Sequence, residues 1–310
     1  MTFQQLEYIV AVDKSRHFVN AATACGVTQS TLSTTISKLE QEIDVLIFDR
    51  SKHPIEPTPM GKRIIEQAEI ILHNSAQLRE MVQSEREDER GKLLIGMMPS
   101  VAPVLVPQFC NIVGQASSGI EVHIFEKEAP SLIERLQRAE IDIAIVDSTD
   151  ITDTNLLSLD LYTERFMLYA SSASHLTNRG SIRVEDLLDG SVWTLRSFHD
   201  RYPQLTEVTH QSTLHHVFID AGSLSTLISA VDANGGFTLL PESYASCLSP
   251  EQRERMYKIN SGKFFRTVSI AIRRDYVRER MLNVVVNAIR RIIPHDMLDM
   301  RITKFDKVKI

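Results

Sequence analysis

Apolar residues recur at three- and four-residue steps at the start of the chain. Phe3, Leu6, Ile9 and Val10 share one face of a helix predicted over residues 3–13, and Lys14-Ser15-Arg16-His17 breaks it. A second helix carries Ala21, Ala22 and Ala24, small enough for a neighbour to approach closely, and turns at Cys25-Gly26-Val27. A third opens at Thr28, whose hydroxyl can accept an otherwise unpaired backbone N–H. Leu32, Ile36, Leu39 and Ile43 line its apolar face; Gln29, Ser30, Ser33, Thr34, Ser37 and Lys38 line the other. A dry inner face and an outer face of amides and hydroxyls, docked on an alanine-rich partner, is the pattern of a helix-turn-helix recognition helix.

The periodicity then changes. Val45-Leu46-Ile47-Phe48 is β-prone, residues 49–54 form a polar turn, and Ile55-Glu56-Pro57-Thr58 returns extended. Such a hairpin beside a helix-turn-helix is a wing, with Arg50, Lys52 and His53 directed at phosphates. Thr58 and Pro59 start a new helix. Ile64, Ile65, Ala68, Ile71, Leu72, Leu78, Met81 and Val82 give it a long stripe. A helix of that length spans ~45 Å, and its stripe calls for burial against a partner chain. The charge run EREDER at 85–90 marks a linker.

From Gly91 the pattern is α/β. Strands are predicted at 92–98, 121–126 and 141–146, with helices at 104–113 and 130–139 between them, an order that implies a parallel sheet. A strand beginning at Arg165, a helix-like stretch at 182–188, a strand at 191–195, a helix at 223–234 and the run Phe237 to Pro241 make a second unit. A strand at 267–272 and a helix at 277–293 close the chain. Two α/β units joined by crossing strands enclose a cleft, and ligands settle at strand ends and helix starts. The predicted architecture is therefore a DNA-binding domain at 1–58, a dimerising helix at 59–90 and an effector domain at 91–310. Its lobe I is 91–163 with 267–300, and its lobe II is 164–266.

Composition narrows this. With 310 residues, 43% of them hydrophobic and 24% charged, the chain has ample core for two or three domains. No apolar run is long enough to span a bilayer, and MTFQQLEYIV lacks a signal-peptide layout, which points to the cytoplasm. The net charge is −6, and the first sixty residues hold five bases against seven acids. DNA contact must then rest on the placement of a few cations, neutral donors and two copies of the chain, not on a general positive field. Cys25, Cys110 and Cys247 fit neither a disulfide framework nor a metal site, and are expected as buried small hydrophobes. His215-His216 are expected on a surface or loop, no metal or other cofactor is implied, and no catalytic motif is present to suggest an enzyme. A solute-binding protein fits the two lobes but not the N-terminal unit.

The motif AATACGVTQSTLSTTISKLEQEI, followed by LIFDR and PTPMG, resembles that of LysR-type transcriptional regulators, and the likeness extends over essentially the whole chain. The resemblance implies a winged helix-turn-helix, a long linker helix and a two-lobed effector domain like the periplasmic binding proteins. It also implies homodimers or homotetramers on promoter DNA, a small-molecule effector and contact with RNA polymerase. Carried over to this chain, Gln29, Ser30, Ser33 and Thr34 match groove-facing positions. Thr31 and Lys38 match phosphate contacts, Ser37 lies on the same face, and Arg50 and His53 match the wing. Ser30 stands where proline is common in the family.

In the effector domain the family often holds an effector carboxylate or anion with a Ser or Thr where Ser100 and Val101 end the first strand. Ser148, Thr149, Thr194, Arg196 and Ser225 are candidates to line the same cleft. Within the family the opening QQLEYIVAVD and the segments GMMPSVAPVLVPQF and SLSTLISAVDANGGFTLLPE resemble the hydrogen-peroxide-inducible activators. Alignment on Leu195-Arg196 puts Thr194 at the peroxidatic cysteine and Pro203 at the resolving one. Neither can form a thiolate or a disulfide, so thiol sensing by that route is expected to be absent. A redox role for Cys110 or Cys247 is the alternative.

Overall fold

The computed structural model describes residues 1–84, 91–116, 119–172, 181–183, 191–202, 215–220, 223–260, 264–276 and 278–304. It divides into two compact units, Met1–Glu89 with Glu134–Ile141, and Arg90–Ile133 with Asp142–Ile310.

In the first unit α1 (Phe3–Ser15), α2 (Phe18–Ala24) and α3 (Gln29–Ile43) pack around Ile9, Val12, Ala21, Leu32, Ile36 and Leu39, all fully buried. Burying a Leu or Ile side chain contributes about 1.5–3 kcal/mol, so this small core sets the angle of α3. Thr2 and Gln5 form a capping box on α1, and Thr28 Oγ1 accepts the Thr31 N–H at 3.2 Å at the start of α3. Gly26 takes φ +68° at the corner between α2 and α3, where a side chain would be strained.

The wing is shorter than the pattern suggests: β1 (Phe48–Asp49) pairs antiparallel with β2 (Glu56–Pro57). Of the expected strand 45–48 only Phe48 lies in it; Ile47 is core and Leu46 is exposed. The cause is Glu40, whose Oε1 accepts the N–H groups of Ile47 at 2.8 Å and Phe48 at 3.3 Å, where a longer ladder would otherwise pair them. α4 (Pro59–Ser84) comes next, with Thr58 Oγ1 accepting the Gly61 N–H at 2.9 Å. A Cβ on Gly61 would lie 1.9 Å from the Ile47 carbonyl oxygen, so only glycine lets this helix start against the wing root.

In the second unit β3 (Gly91–Met97), β4 (Ile120–Glu126) and β5 (Ile143–Asp147) are parallel, in the order β4-β3-β5; α5 (Ala102–Ala116) is the first crossover, and α6 (Ala129–Gln137), whose residues from Glu134 on are grouped with the first unit, is the second. The sheet continues through β12 (Phe265–Arg273), antiparallel both to β5 and to β6 (Leu156–Ala170). β6 starts well before the predicted Arg165. The charges at Asp160 and Glu164 interrupt the apolar pattern, but each is answered within the fold, by Ser269 and by Arg266.

β6 pairs with β12 as far as Arg165 and with β10 (Phe237–Pro241) from Phe166 onward, so one strand passes from the first sheet into the second. There β10, β8 (Ser191–Leu195) and β9 (His215–Ile219) run parallel, and β11 (Met256–Ile259) pairs with β6 and with β7 (Ser181–Ile182). The helix expected at 182–188 begins instead as strand β7; residues 184–190 lie outside the described residues. His215 and His216 are on strand β9, where His215 is exposed, as expected of a surface position, and His216 is half-buried and stacks near Phe218 with centroids 6.4 Å apart.

The expectation of buried cysteines does not hold: Cys110 and Cys247 are exposed and Cys25 is half-buried. On α5 the inward places belong to Phe109 and Val113, which turns Cys110 outward. Among the described residues no helix is long and apolar enough to cross a membrane, and no group of three or more His, Cys, Asp or Glu residues could hold a metal ion.

Candidate functional sites

The exposed face of α3 is the first. Gln29, Ser30, Thr31, Thr34 and Lys38 are exposed, and Ser33 and Ser37 half-buried, while Leu32, Ile36 and Leu39 have no exposure on the opposite face. Thr28 Oγ1 gathers the hydroxyls of Ser30 at 2.9 Å and Thr31 at 2.8 Å, which orders the helix start.

Arg50 is exposed at the edge of this face. Its guanidinium turns back onto α3, where Nη2 donates to Ser37 Oγ at 2.9 Å and to Glu40 Oε2 at 3.0 Å. Nη1 lies 3.4 Å from Ser33 Oγ, and the group sits 5.3 Å from the centre of the Phe18 ring. Glu40 thus ties three things together: the wing's backbone, its arginine and the recognition helix. Lys52, also on the wing, pairs with Glu56 at 2.5 Å, and this hydrogen-bonded carboxylate raises the lysine pKa. His53 is exposed.

The second site lies where β6 crosses between sheets. Arg266 and Glu164 are both wholly buried, joined by Nε to Oε1 at 2.8 Å and Nη2 to Oε1 at 2.7 Å. Arg266 Nη1 donates to Ser100 Oγ at 2.7 Å, and Glu164 Oε2 accepts the Ser243 N–H at 2.9 Å. Burial alone would lower the arginine pKa; the adjacent Glu164 carboxylate overrides it and raises it.

Asp147, at the end of β5, is 1% exposed; its Oδ2 accepts the Tyr202 hydroxyl at 2.6 Å and its Oδ1 accepts both N–H and O–H of Thr149. Tyr202 comes directly after α7 (Arg196–Arg201). Its ring lies 4.8 Å from Phe166 and 5.8 Å from Phe198, centre to centre. Burial raises its pKa, Arg266 pulls it down and Asp147 pushes it up, with a net rise that keeps the phenol a donor.

Of the residues expected in this cleft, Ser100 alone belongs to the cluster, and Thr149 supports it through Asp147. Val101 is fully buried with its N–H bound to the Met98 carbonyl, which leaves it nothing to offer a ligand. Ser148 is half-buried in the short turn after β5. Thr194 is half-buried on β8; Arg196 is exposed, paired with Asp220 at 2.6 Å and 4.9 Å from the Phe218 ring centre; Ser225 is exposed at the start of α8 (Leu224–Asn234) and bonds Ser223 at 2.5 Å. Pro203 lies outside the described residues. The Ser100 hydroxyl accepts from the Arg266 guanidinium, which is itself matched by the Glu164 carboxylate.

Asp147, Glu164, Tyr202, Ser243 and Arg266 are not evident from the sequence as site residues. The three charged members do leave a signal there. Asp147 ends the apolar run IAIV, Arg266 precedes TVSIAI, and Glu164 interrupts YTERF, each a charge set into an otherwise buried strand.

Residues 3–62 match the family model described as bacterial regulatory helix-turn-helix protein, lysR family, and residues 86–293 match that described as LysR substrate binding domain. The hydrogen peroxide-inducible genes activator of Dickeya chrysanthemi is 30% identical over 91% of this chain and 96% of its own. A full-length OxyR variant from Pseudomonas aeruginosa superposes with a TM-score of 0.80 at 29% identity, covering 97% of this chain and 98% of that one. CbnR in complex with its target DNA shares the fold, with a TM-score of 0.63 at 19% identity, over 94% of this chain and 100% of that one.

Proposed function

Since the chain belongs to the LysR family of transcriptional regulators, with an N-terminal DNA-binding unit and a LysR substrate-binding domain, we propose that it binds a promoter through the outer face of α3 and sets transcription by the state of the interlobe cluster. The observation that carries this is α3 itself: a buried apolar face, a capped start and an exposed row of Gln29, Ser30, Thr31, Thr34 and Lys38. Gln29 suits bidentate pairing with adenine, hydroxyls serve several bases, and Thr31 and Lys38 serve phosphates. With the wing cations Arg50 and Lys52 each paired to a carboxylate, a single unit offers few free positive charges, which favours binding as a homodimer or homotetramer assembled through α4. The protein works in the cytoplasm beside RNA polymerase and performs no catalysis. A mobility shift on the DNA upstream of its own gene tests the reading. Wild type shifts that DNA, and a Gln29→Ala, Thr34→Ala double variant that still shifts it defeats the assignment of α3.

A second reading, a peroxide-responsive regulator, is favoured by the named activator to which the chain is similar. It would have to use other thiols, since Thr194 carries none. Burial raises the pKa of Cys247 and of Cys25, against the thiolate such chemistry needs. Promoter output under peroxide from a Cys110→Ser, Cys247→Ser variant decides it; output equal to wild type excludes this route.

A further inference from the structure

The interlobe cluster holds an imbalance that bears on its ligand. One guanidinium, Arg266, is paired with Glu164, and a second carboxylate, Asp147, joins the cluster through Tyr202, all three charged groups nearly or wholly buried. Its donors are committed within the chain: Nε and Nη2 to Glu164, Nη1 to Ser100 Oγ, and Nη2 also toward the Ser100 carbonyl at 3.4 Å. An incoming carboxylate would meet no unspent cation and would add a third negative charge in a place water does not reach. On the acceptor side Asp147 already takes a hydroxyl, that of Tyr202, at 2.6 Å. The tyrosine side chain arrives from α7 and β5 supplies the acceptor, so a phenol from the second sheet's side is bound by a carboxylate of the first.

Beside this contact two further hydroxyls, Tyr162 Oη and Ser243 Oγ, are buried without an aligned hydrogen-bond partner. Tyr162 is wholly buried, and its neighbours are Glu164, Arg266, Ser243 and Tyr202, so the unspent groups adjoin the same cluster. Tyr162 and Ser243 are the side chains that face each other here, in no aligned hydrogen bond, and a donor-and-acceptor ligand would supply better-aligned partners.

Resting on the reading of this cluster as the effector site, we propose that the effector is a small molecule without negative charge that presents a hydroxyl or N–H donor to Asp147, and that Tyr202 Oη occupies its place in the ligand-free chain. The effector competes with an internal hydroxyl, and its binding frees α7 from β5. Ser100 positions Arg266 and does not itself select an anion.

The test uses full-length protein and a deproteinised small-molecule extract of the cells that express it, split at neutral pH on a strong anion exchanger. The unretained fraction raises the thermal midpoint of wild-type protein and the retained anions do not. A shift from the anionic fraction alone overturns the ligand class while the effector reading stands; no shift from either overturns the effector reading and this proposal with it. Tyr202→Phe, which keeps the ring and removes the competing hydroxyl, lowers the half-saturating amount of the unretained fraction about tenfold, the worth of one hydrogen bond to a charged acceptor. An unchanged amount overturns the role of Tyr202. Should that variant fail to fold, Tyr202→Leu serves: it also removes the competing hydroxyl, so the half-saturating amount falls, and no fall overturns the role of Tyr202.

Discussion

Two of the chain's arginine–glutamate pairs do opposite work. Arg50–Glu40 at the wing has its arginine 42% and its glutamate 6% exposed, and Arg266–Glu164 at the crossing of β6 has neither exposed at all. In the first, the carboxylate is the fixed partner. Glu40 is anchored by two backbone N–H groups, and Arg50 folds over it to reach the hydroxyls of Ser37 and Ser33. Water at the guanidinium softens the Coulomb term, so the pair orients more than it stabilises. In the second, both ions have left water, and only full hydrogen bonding makes that tolerable. The same two residue types thus serve as an adjustable strut at a DNA-reading surface and as a rigid node between two sheets.

The largest test of this contrast removes one member of the buried node. Arg266→Met leaves Glu164 charged and unpaired, and should destabilise the full chain by about 3–5 kcal/mol, read from urea unfolding followed by Trp193 fluorescence. Adding Glu164→Leu should recover most of that loss, because the uncompensated charge goes with it; no recovery would mean that the cost lies elsewhere than in charge burial. Next in size, Thr28→Ala removes the cap of α3 and should cost about 1 kcal/mol in the same assay.

Arg50→Gln should cost less than about 1 kcal/mol in stability, as an exposed pair does. Yet it should weaken binding to the DNA upstream of the gene, because Ser33, Ser37 and the wing lose their common tether. The salt dependence separates this from a phosphate contact: a lost phosphate contact lowers the slope of log affinity against log salt by about one, and an orienting residue leaves it unchanged.

The smallest effect is at Asp232. Burial opposes its ionisation, but hydrogen bonds from Tyr169, Arg255 and Gln252 outweigh that and hold its pKa below the ordinary carboxylate value. Its contribution is therefore complete above the unfolded-state pKa and fades as pH falls through the lowered one. A pH series of unfolding midpoints should show this loss in wild type and a flatter acid limb in Asp232→Asn.

Legibility tracked the range of the interactions. The helices at 3–15, 29–43, 59–84 and 224–234 were readable because periodicity and caps lie within a few residues of one another. The parallel strands β3, β4 and β5 were readable as short apolar runs between helices. β6 was half hidden, since Asp160 and Glu164 look like surface charges until Ser269 and Arg266, more than a hundred residues away, are placed beside them. The pairing of Arg50 was hidden for the same reason: a cation in a polar turn carries no mark of a buried glutamate ten residues earlier.

By itself the sequence determined the N-terminal helical unit, the α/β character of the chain from Gly91 onward, the polar face that α3 presents and the absence of a thiol at residue 194. These depend on local spacing and residue chemistry, which the linear order contains. The tertiary structure alone decided that Arg50 folds onto Glu40 and α3, that Val101 is core, that the thiols of Cys110 and Cys247 face out, and that Asp147, Glu164, Tyr202 and Arg266 meet. Each of these depends on which distant group desolvates or neutralises a side chain, and such partners are chosen only when the sheets close.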